Sequence, residues 1–307
     1  MSSNAYQTEL TSSPLVSVLM NCFNGEKYLR DAIDSVIAQS YSNWEIIFWD
    51  NQSTDSSASI VKSYNDSRIK YYYASAHTLL YEARNYAYAQ SSGELIAFLD
   101  VDDSWHPEKL KSQVPLFFDP KVALSCSNYW IDDQVRDKRS LAIKKSMQKR
   151  KKSLDSLLRY YDVGLLTLII RRSALSPLSP PFDKHFHIIG DFDLVIRLAA
   201  VWDFAYVSEP LAFYRIHGDN ESIKRQELMV FELESWVSEQ SKNNVLADAC
   251  SQSSMAAYLN YSKASQAILL RNRAKALIYT LKLPLGYLKF KLLVGLILPS
   301  SVVQRIF

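Results

Sequence analysis

The feature that most constrains the fold is an alternation of apolar runs and helical stripes in the N-terminal third of the chain. Four runs of strand length are separated by segments with apolar residues at helical spacing, such as the stripe from Tyr28 to Ile37. Connections of that length favour crossovers, so we expect a mostly parallel sheet that helices cover on both faces. The predicted strands are Leu15–Met20, Trp44–Trp49, Arg68–Tyr73 and Glu94–Leu99.

The later sequence predicts further elements of both kinds. A helix that begins near Pro107 is expected over His106–Phe118. Additional strands are expected at Val122–Tyr129, Val163–Ile170 and Phe204–Val207.

Polar residues follow the predicted strands at their carboxyl ends, where the ligands of such sheets bind. Asn21 follows the first strand, and Asp50 and Asn51 follow the second. The fourth strand leads directly into Asp100-Val101-Asp102-Asp103. We therefore expect a ligand site at this edge of the sheet.

The aspartate cluster puts three carboxylates into four consecutive positions. Close carboxylates repel one another, and at least one of them should have a raised pKa. A divalent ion with oxygen ligands, Mg²⁺ or Mn²⁺, removes this conflict and can also carry substrate phosphates. The alternative is a solvated turn that caps the next helix, which Pro107 at the first helical turn also indicates.

The glycine content argues against a dinucleotide fold. The chain has seven glycines, and no Gly-x-Gly-x-x-Gly follows any predicted strand. A backbone cradle for phosphate therefore has few places to form, and a metal ion at the aspartates is the device that remains.

Composition excludes several other classes. With 307 residues and 48% apolar content, the chain can bury a sizeable core and is not expected to be disordered. A net charge of +3, without a zinc-ligand spacing or a nucleic-acid motif, argues against a nucleic-acid partner. The three cysteines are odd in number and far apart, which favours a reduced compartment over a disulfide framework.

Targeting signals are not evident in the sequence. The stretch Met1–Pro14 is polar and lacks a basic start followed by an apolar core, so we expect no secretory signal. The late apolar stretch Leu283–Val303 is interrupted by Lys289, Lys291 and Pro299, so we expect no spanning helix. The expected location is cytoplasmic.

Four ordered motifs resemble those of family 2 glycosyltransferases with the GT-A fold. They are Val16–Gly25, Trp49–Asp55, Ala83–Asn85 and Leu99–Asp103. Each motif is weak alone, but their order and spacing together are specific. The resemblance implies a GT-A sheet with a Rossmann-like nucleotide-binding half. It also implies sugar transfer with inversion from a nucleotide-sugar donor, most often a UDP-sugar.

The resemblance implies roles for the residues that follow the first two strands. Phe23 would lie beside the uracil ring, and Asp50 or Asn51 would hydrogen-bond the edge of the ring. Many members have Pro-Thr where this chain has Asn21-Cys22, and a second Asp where it has Asn51. An amide both donates and accepts hydrogen bonds, so uracil recognition remains feasible.

Arg84, on the helix before the aspartate strand, would lie near the donor phosphates by the same resemblance. The alternative is a helix-surface arginine that pairs with Glu82 or Glu94.

The resemblance also suggests how the diphosphate is held. The metal would bind at Asp102 or Asp103, while Asp100 and Asp102 would reach the ribose or water ligands. A later Tyr-Arg-x-His segment resembles one that closes over the diphosphate in the family. This assigns Arg215 to the phosphates and His217 to the metal, roles that suit their chemistry.

The catalytic base is expected at the start of a later helix. In the family a Glu-Asp pair opens this helix, and its Asp is the base. Here Gly190 replaces the Glu, Asp191 takes the base position, and Asp193 is the competitor. The structural alternative for both aspartates is capping of the helix N-terminus.

Two basic stretches remain. Arg136–Lys152 carries nine Lys or Arg residues and one acid. It is either a solvated loop or a surface that attracts lipid headgroups or a phosphate-bearing acceptor.

Ala264–Phe307 carries basic residues among apolar ones and no acid, which favours an interfacial membrane helix. The alternative is that Leu283–Leu298 packs back on the catalytic domain.

These features predict a catalytic domain over residues 1–220 and a helical extension over residues 221–307, which would contact the inner face of the cytoplasmic membrane. The expected acceptor is a hydroxyl of a glycan or lipid-linked molecule in cell-surface polysaccharide synthesis. A metal-dependent nucleotidyl- or phosphotransferase and a non-catalytic sugar-nucleotide-binding subunit are the alternatives. A glycosidase also uses two carboxylates but has no need of a metal cluster for a diphosphate.

Overall fold

The computed structural model describes residues 10–143, 151–218, 220–240 and 249–298. The chain divides into two compact units. One comprises Met1–Ser153 and Asp162–Asn220, and the other comprises Leu154–Tyr161 and Glu221–Phe307. That these units correspond to a catalytic domain and a separate extension, with a boundary near residue 220, stays a prediction.

The first unit is built on one large sheet. Ten strands form this sheet within the described part of the chain. They are β1 Val16–Cys22, β2 Trp44–Asp50, β3 Ile69–Tyr73, β4 Leu95–Phe98, β5 Ser104–Trp105, β6 Val122–Asp133, β7 Lys138–Leu141, β8 Lys151–Lys152, β9 Ile169–Arg171 and β10 Asp203–Ile216.

The order of the strands is β3-β2-β1-β4-β9-β6-β10-β5, with β7 beside β6 and β8 beside β10. The strands β3, β2, β1 and β4 are all parallel, as the alternation of the N-terminal sequence predicts. Beyond them β9 is antiparallel to both β4 and β6, while β10 runs parallel to β6. The sheet therefore has a parallel half and a mixed half.

Helices connect the strands of the first unit and make up the second. The helices of the first unit are α1 Leu29–Ile37, α2 Ser57–Lys62, α3 Leu80–Gln90, α4 Lys109–Gln113, α6 Arg172–Leu175 and α7 Gly190–Ala199. The helices of the second are α5 Leu154–Arg159, α8 Glu221–Lys224, α9 Gln226–Gln240, α10 Ala249–Leu269, α11 Arg273–Leu281 and α12 Tyr287–Ile297.

The structure corrects two of the expected elements. The helix expected over His106–Phe118 is α4 followed by a 3₁₀ turn, because Pro115 has no backbone N–H with which to continue an α-helix. The strand expected at Val163–Ile170 is wrong in its first part. A 3₁₀ turn occupies Leu165–Thr167, and the strand is Ile169–Arg171.

The core of the first unit lies where α1 packs on the parallel strands. The residues of the α1 stripe that are completely buried are Leu29, Ala32, Ile33 and Val36. They belong to one cluster with apolar side chains of β1, β2 and β4. Burial on this face holds α1 against the sheet, because apolar surface removed from water is the main favourable contribution to folding.

A buried carboxylate joins the four parallel strands near their starts. Glu45 of β2 accepts hydrogen bonds from the Ser17 hydroxyl at 2.6 Å and from the Ser92 backbone N–H at 2.8 Å. Its other oxygen accepts from the Lys70 ammonium at 2.6 Å. Ser17 is on β1, Lys70 on β3, and Ser92 precedes β4, so one side chain fixes the relative position of all four strands.

Gly93 is required by the same arrangement. A Cβ atom at this position would lie 2.6 Å from the Leu15 carbonyl oxygen and from the Ser17 nitrogen. The Gly93 N–H donates to the Ser17 hydroxyl at 2.7 Å. The backbone before β4 therefore passes too close to β1 for any side chain.

The second unit is helical and has a small core of its own. Side chains of α10, α11, α12 and the α11–α12 connection, among them Ala264, Ile268, Leu283 and Leu292, pack together. Among the residues that the structure describes, no helix combines the length and apolar character needed to cross a membrane.

We expect Glu45→Gln to lower the free energy of unfolding by about 1–3 kcal/mol, because it weakens acceptance from buried donors and leaves Lys70 without a counter-charge. Burial alone would raise the Glu45 pKa, but the hydrogen bonds from Lys70, Ser17 and Ser92 lower it to about 2, from an ordinary value of 4.5. The stabilisation is therefore complete above about pH 4.5 and is lost as the pH falls towards 2.

Urea unfolding of wild type and variant at a series of pH values tests this expectation. The exposed Glu209→Gln is the matched control. A stability difference that equals the control, or that does not shrink on acidification, would contradict the role of Glu45.

Candidate active site

The carboxyl ends of β1, β2 and β4 meet at one edge of the sheet. Cys22 lies opposite Asp50 in the β1–β2 register, and the Asn51 N–H donates to the Cys22 carbonyl at 2.8 Å. β4 is the other neighbour of β1 and ends at Phe98. The aspartate cluster begins two residues later, at Asp100. The polar residues expected at this edge are thus brought to one place.

An exposed aromatic pair lies beside the end of β1. The Phe23 ring is exposed, and its centroid is 4.5 Å from that of His77. Asn51 holds the loop that carries His77, because its amide donates to the Thr78 carbonyl at 2.8 Å and its backbone carbonyl lies 2.9 Å from His77 Nδ1. His77 was not identified from the sequence, since it lies in a loop without a recognisable motif.

Asp50 and Asn21 differ in how their polar atoms are used. Asp50 is completely buried, and its two oxygens accept from the Ser53 N–H and the Tyr71 hydroxyl, each at 2.7 Å. The Asn21 amide nitrogen is also buried, but it has no hydrogen-bond partner among the described residues. Asp50 therefore supports the surrounding loops, while Asn21 retains an unused donor at the edge.

Arg84 pairs with the first aspartate of the cluster. The Arg84 guanidinium is buried and donates to Asp100 at 2.7 and 3.0 Å. The alternative interpretation, a helix-surface arginine that pairs with Glu82 or Glu94, is therefore wrong. Glu94 instead accepts hydrogen bonds from Thr11. Arg84 thus lies within the carboxylate cluster and not on a solvated helix face.

The two other aspartates of the cluster have different surroundings. Asp102 lies 2.9 Å from His217 Nε2, with 29% of the Asp102 side chain and 14% of the His217 side chain exposed. Asp103 is buried and accepts from the Arg215 backbone N–H at 2.9 Å. Burial, followed by the charge of Asp100, raises the pKa of Asp102. Burial and the charge of Asp102 raise the pKa of Asp103 well above its ordinary value.

The donor atoms at this position fit a divalent ion. No group of three or more His, Cys, Asp or Glu side chains in the described ranges is arranged to hold a metal by itself. Mg²⁺ and similar ions, however, are commonly held by one or two protein ligands, and water and substrate phosphate complete the shell. Asp102, whose side chain is partly exposed, and the His217 imidazole offer an oxygen and a nitrogen that are suitable ligands of this kind.

Tyr28 connects the residues that were assigned to phosphate and metal. The Arg215 guanidinium lies 4.2 Å above the Tyr28 ring, and the His217 ring lies 5.2 Å from it. The Tyr28 hydroxyl donates to Gln134 at 2.9 Å, and Arg215 also pairs with Asp31 at 3.1 Å. The sequence pattern assigned Tyr28 to the apolar stripe of α1, but the residue precedes that helix and lies in the site.

The two candidate bases on α7 are also distinguishable. Asp191 is partly exposed and accepts from the Tyr81 hydroxyl at 2.9 Å. Burial raises the pKa of Asp191, while Arg84 and the Tyr81 hydrogen bond act in the opposite direction. Asp193 is buried and forms an ion pair with Arg197 at 2.7 Å.

The basic stretch after β6 is partly ordered by ion pairs. Arg136 pairs with Asp133 at 3.4 Å, and Arg139 of β7 pairs with Asp132 at 3.1 Å. Residues 144–150, which carry much of the remaining positive charge, lie outside the described residues.

These features together define a glycosyltransferase of the GT-A fold. They are a parallel half-sheet of the nucleotide-binding type, a carboxylate cluster at its edge and a further carboxylate on a later helix. The chain belongs to glycosyl transferase family 2, whose family model matches residues 17–175.

Curated relatives support the same family. WfgD of Escherichia coli, a UDP-Glc:alpha-D-GlcNAc-diphosphoundecaprenol beta-1,3-glucosyltransferase, is 33% identical over 168 residues, which are 55% of this chain and 64% of WfgD. WfaP of Escherichia coli has the same description and is 30% identical over 216 residues, 69% of this chain and 81% of WfaP. TuaG of Bacillus subtilis, a putative teichuronic acid biosynthesis glycosyltransferase, is 32% identical over 55% of this chain and 66% of TuaG. The chain thus spans just under two thirds of WfgD and TuaG.

Solved structures confirm the GT-A fold. TarS 1–349 of S. aureus in complex with UDP-GlcNAc superposes with a TM-score of 0.61 at 18% identity, over 87% of this chain and 90% of that chain. The mannosyltransferase PcManGT from Pyrobaculum calidifontis, in complex with GDP-Man and Mn²⁺, has a TM-score of 0.58 at 16% identity, over 99% and 92%. At these identities the likeness concerns the fold alone.

Proposed function

We propose that this protein is an inverting glycosyltransferase that moves a sugar from a UDP-sugar to a hydroxyl of a glycan or lipid-linked acceptor. The observation that carries the proposal is the arrangement of carboxylates around Arg84. Arg84 pairs with Asp100, whose cluster includes the Asp102–His217 pair, and it also interacts electrostatically with Asp191, which comes from α7 and accepts from Tyr81. Such an arrangement suits a diphosphate leaving group and a distinct general base.

The donor and acceptor are proposed from the relatives. WfgD and WfaP are described as UDP-glucose transferases that act on GlcNAc-diphosphoundecaprenol. We therefore propose UDP-glucose as the donor to test first, with a GlcNAc-diphospholipid as the acceptor. Transfer to such a lipid would belong to cell-surface polysaccharide synthesis.

The uracil ring would bind at the end of β1. The exposed Phe23 and His77 rings offer aromatic faces on which a planar base can stack. The buried Asn21 amide nitrogen, which lacks a partner among the described residues, can donate to a carbonyl oxygen of the ring. Asp50 and Asn51 would support this subsite through the loops that they hold.

The diphosphate would bind beside Asp102 and His217, which are the proposed ligands of Mn²⁺ or Mg²⁺. Such an ion, when bound, stabilises negative charge on the leaving diphosphate. Arg215 supplies a second positive charge, and its guanidinium is held by the Tyr28 ring and Asp31. Asp103 contributes by fixing the Arg215 backbone.

Asp191 would act as the base. Its carboxylate takes the proton of the acceptor hydroxyl as that oxygen forms a bond to the anomeric carbon. The bond from this carbon to the diphosphate oxygen breaks on the opposite face, which inverts the configuration. The raised pKa of Asp191 suits the task, since a base works best when its pKa approaches the operating pH. Asp193 is less suitable, because Arg197 neutralises it.

The C-terminal helices would contact an anionic membrane surface. The α11–α12 connection and α12 expose large apolar side chains, with Leu285 at 93%, Phe290 at 65% and Ile297 at 81%. The exposed cations Arg273 and Lys282 accompany them, and no acidic residue occurs after residue 263. Apolar insertion together with attraction to anionic headgroups is the usual basis of interfacial binding. A lipid-linked acceptor would be found at that surface.

Metal-dependent donor binding is the first expectation. Asp102→Asn and His217→Ala should each weaken Mn²⁺-dependent UDP binding by about tenfold or more, the loss that even an outer-shell partner of a metal ligand causes. Isothermal titration with UDP, with and without Mn²⁺, measures the effect. The exposed Asp183–His185 pair, 2.8 Å apart, provides matched controls in Asp183→Asn and His185→Ala. Equal metal-dependent binding in all four variants would refute this metal site.

Loss of the base is the second expectation. Asp191→Asn should retain UDP binding and lose transfer from UDP-glucose by about 10²–10⁴-fold, because the amide cannot accept the acceptor's proton. Asp193→Asn is the control and should retain most of the transfer, although loss of its pair with Arg197 lowers stability. The opposite pattern would make Asp193 the base.

Release of pyrophosphate by the wild type would instead indicate a nucleotidyltransferase. Absence of any turnover with bound UDP-sugar would indicate a binding subunit.

Membrane contact is the third expectation. The protein should float with vesicles that contain phosphatidylglycerol, and high salt should weaken the binding. Leu285→Ser with Phe290→Ser should lower the binding about tenfold or more, because each buried apolar side chain contributes about 1.5 kcal/mol or more. Phe231→Ser, at an exposed position of α9, is the control. Equal flotation of the double variant and the control would contradict the proposed surface.

A further inference from the structure

We infer that Tyr81 is the positioning residue of the Asp191 carboxylate, and that Gly190 is required because the Tyr81 ring occupies the space of a side chain there. This inference rests on the proposed role of Asp191 as the base. It assigns to α3 a function in the reaction that is separate from the contact of Arg84 with the aspartate cluster.

Tyr81 is held rigidly. It lies in the first turn of α3 with 3% of its surface exposed. Its ring stacks on Phe182 at 5.4 Å between centroids, and Phe182 meets the edge of Phe98 at 5.6 Å. Because Phe98 ends β4, the ring is anchored to the same strand that delivers the aspartate cluster.

The Tyr81 hydroxyl is aimed at the start of α7. It lies 2.9 Å from Asp191 Oδ1 and 2.8 Å from the Ile188 carbonyl oxygen. The hydroxyl has one proton, and both neighbours are acceptors, so the proton is shared between them. A hydrogen bond to a charged acceptor is about twice as strong as one between neutral groups, and this favours donation to the carboxylate.

Gly190 leaves the room that this contact needs. A Cβ atom built at position 190 would lie 2.7 Å from the Cδ2 and Cγ atoms of the Tyr81 ring. Carbon atoms of a side chain and a packed ring do not approach so closely. Any side chain at 190 would therefore displace the ring and, with it, the hydroxyl that holds Asp191.

Burial and the polar groups around Asp191 act on its pKa in opposite directions. Burial raises the pKa of its carboxyl, while the Arg84 guanidinium and the Tyr81 hydroxyl lower it. Arg84 lies three residues beyond Tyr81 on α3, 5.2 Å above the Tyr81 ring. On α7 itself, Asp193 is paired with Arg197. Without the Tyr81 hydroxyl, the ionised form of Asp191 loses a donor, and its pKa rises further.

Tyr81→Phe is the direct test, because it keeps the ring and removes the hydrogen bond. We expect the acidic limb of the pH profile of transfer from UDP-glucose to move up by about one unit. We also expect kcat to fall by about tenfold, from the loss of orientation of Asp191. UDP binding in the presence of Mn²⁺ should not change. Tyr86→Phe, at an exposed position of the same helix, is the control and should keep the wild-type profile.

A double-mutant cycle tests the role of Gly190. Gly190→Ala should lower kcat in the wild-type background, because the added Cβ meets the ring. In a Tyr81→Ala background the ring is absent, so the same substitution should cause little further loss. Equal losses in the two backgrounds would overturn the steric part of the inference.

The results separate this inference from the proposed function. If Asp191→Asn loses transfer while Tyr81→Phe keeps the wild-type pH profile and kcat, the positioning role of Tyr81 is wrong and the base remains. If Asp191→Asn retains full transfer, the proposed base is wrong, and the role of Tyr81 falls with it. A shifted profile in Tyr81→Phe, with unchanged UDP binding, supports both.

Discussion

The arrangement of the site depends on the partners of the aspartate carboxylates at the edge of the sheet. Carboxylates in a partly buried position cost free energy unless each has a cation or a hydrogen-bond donor. Arg84 from α3 meets Asp100, and His217 from the end of β10 meets Asp102. The elements that carry these partners are distant in sequence, so the contacts of one short loop bring α3 and the end of β10 to the same edge.

Several polar residues at this edge of the sheet stabilise the neighbouring loops. Asp50 is completely buried between the Ser53 backbone and the Tyr71 hydroxyl, and Asn51 holds the loop of His77. Buried polar groups that are satisfied in this way make a local structure rigid. The loops at this edge are therefore held in place by hydrogen bonds within the chain.

The parallel half of the fold could be predicted because its signal is local. Each strand is an apolar run, and the α1 stripe at Ala32, Ile33 and Val36 is buried as expected. The mixed half was less predictable, since β10 is long, has irregular register and contains Pro210. Nothing in the local pattern around Val163–Ile170 distinguishes a 3₁₀ turn from a strand, because both bury apolar residues.

The candidate site was predictable where a motif existed and not where the contact is tertiary. The acidic and basic residues of the site stand in ordered motifs, but Tyr28 and Tyr81 stand in helical patterns that are typical of core residues. Their contacts are with partners that are far away in sequence, such as Arg215 for Tyr28 and Asp191 for Tyr81. A single sequence carries no signal for such pairs.

Arg84 links two carboxylates that come from different elements of the site. One buried guanidinium interacts electrostatically with both Asp100 and Asp191. Two events that share a cation are thermodynamically linked, and the linkage is reciprocal. In the proposed reaction, donor binding that alters the charge around Asp100 would change how readily Asp191 holds a proton, and protonation of Asp191 would change donor affinity by the same factor. Under the proposed roles, donor binding and proton transfer to Asp191 would therefore be coupled through one side chain.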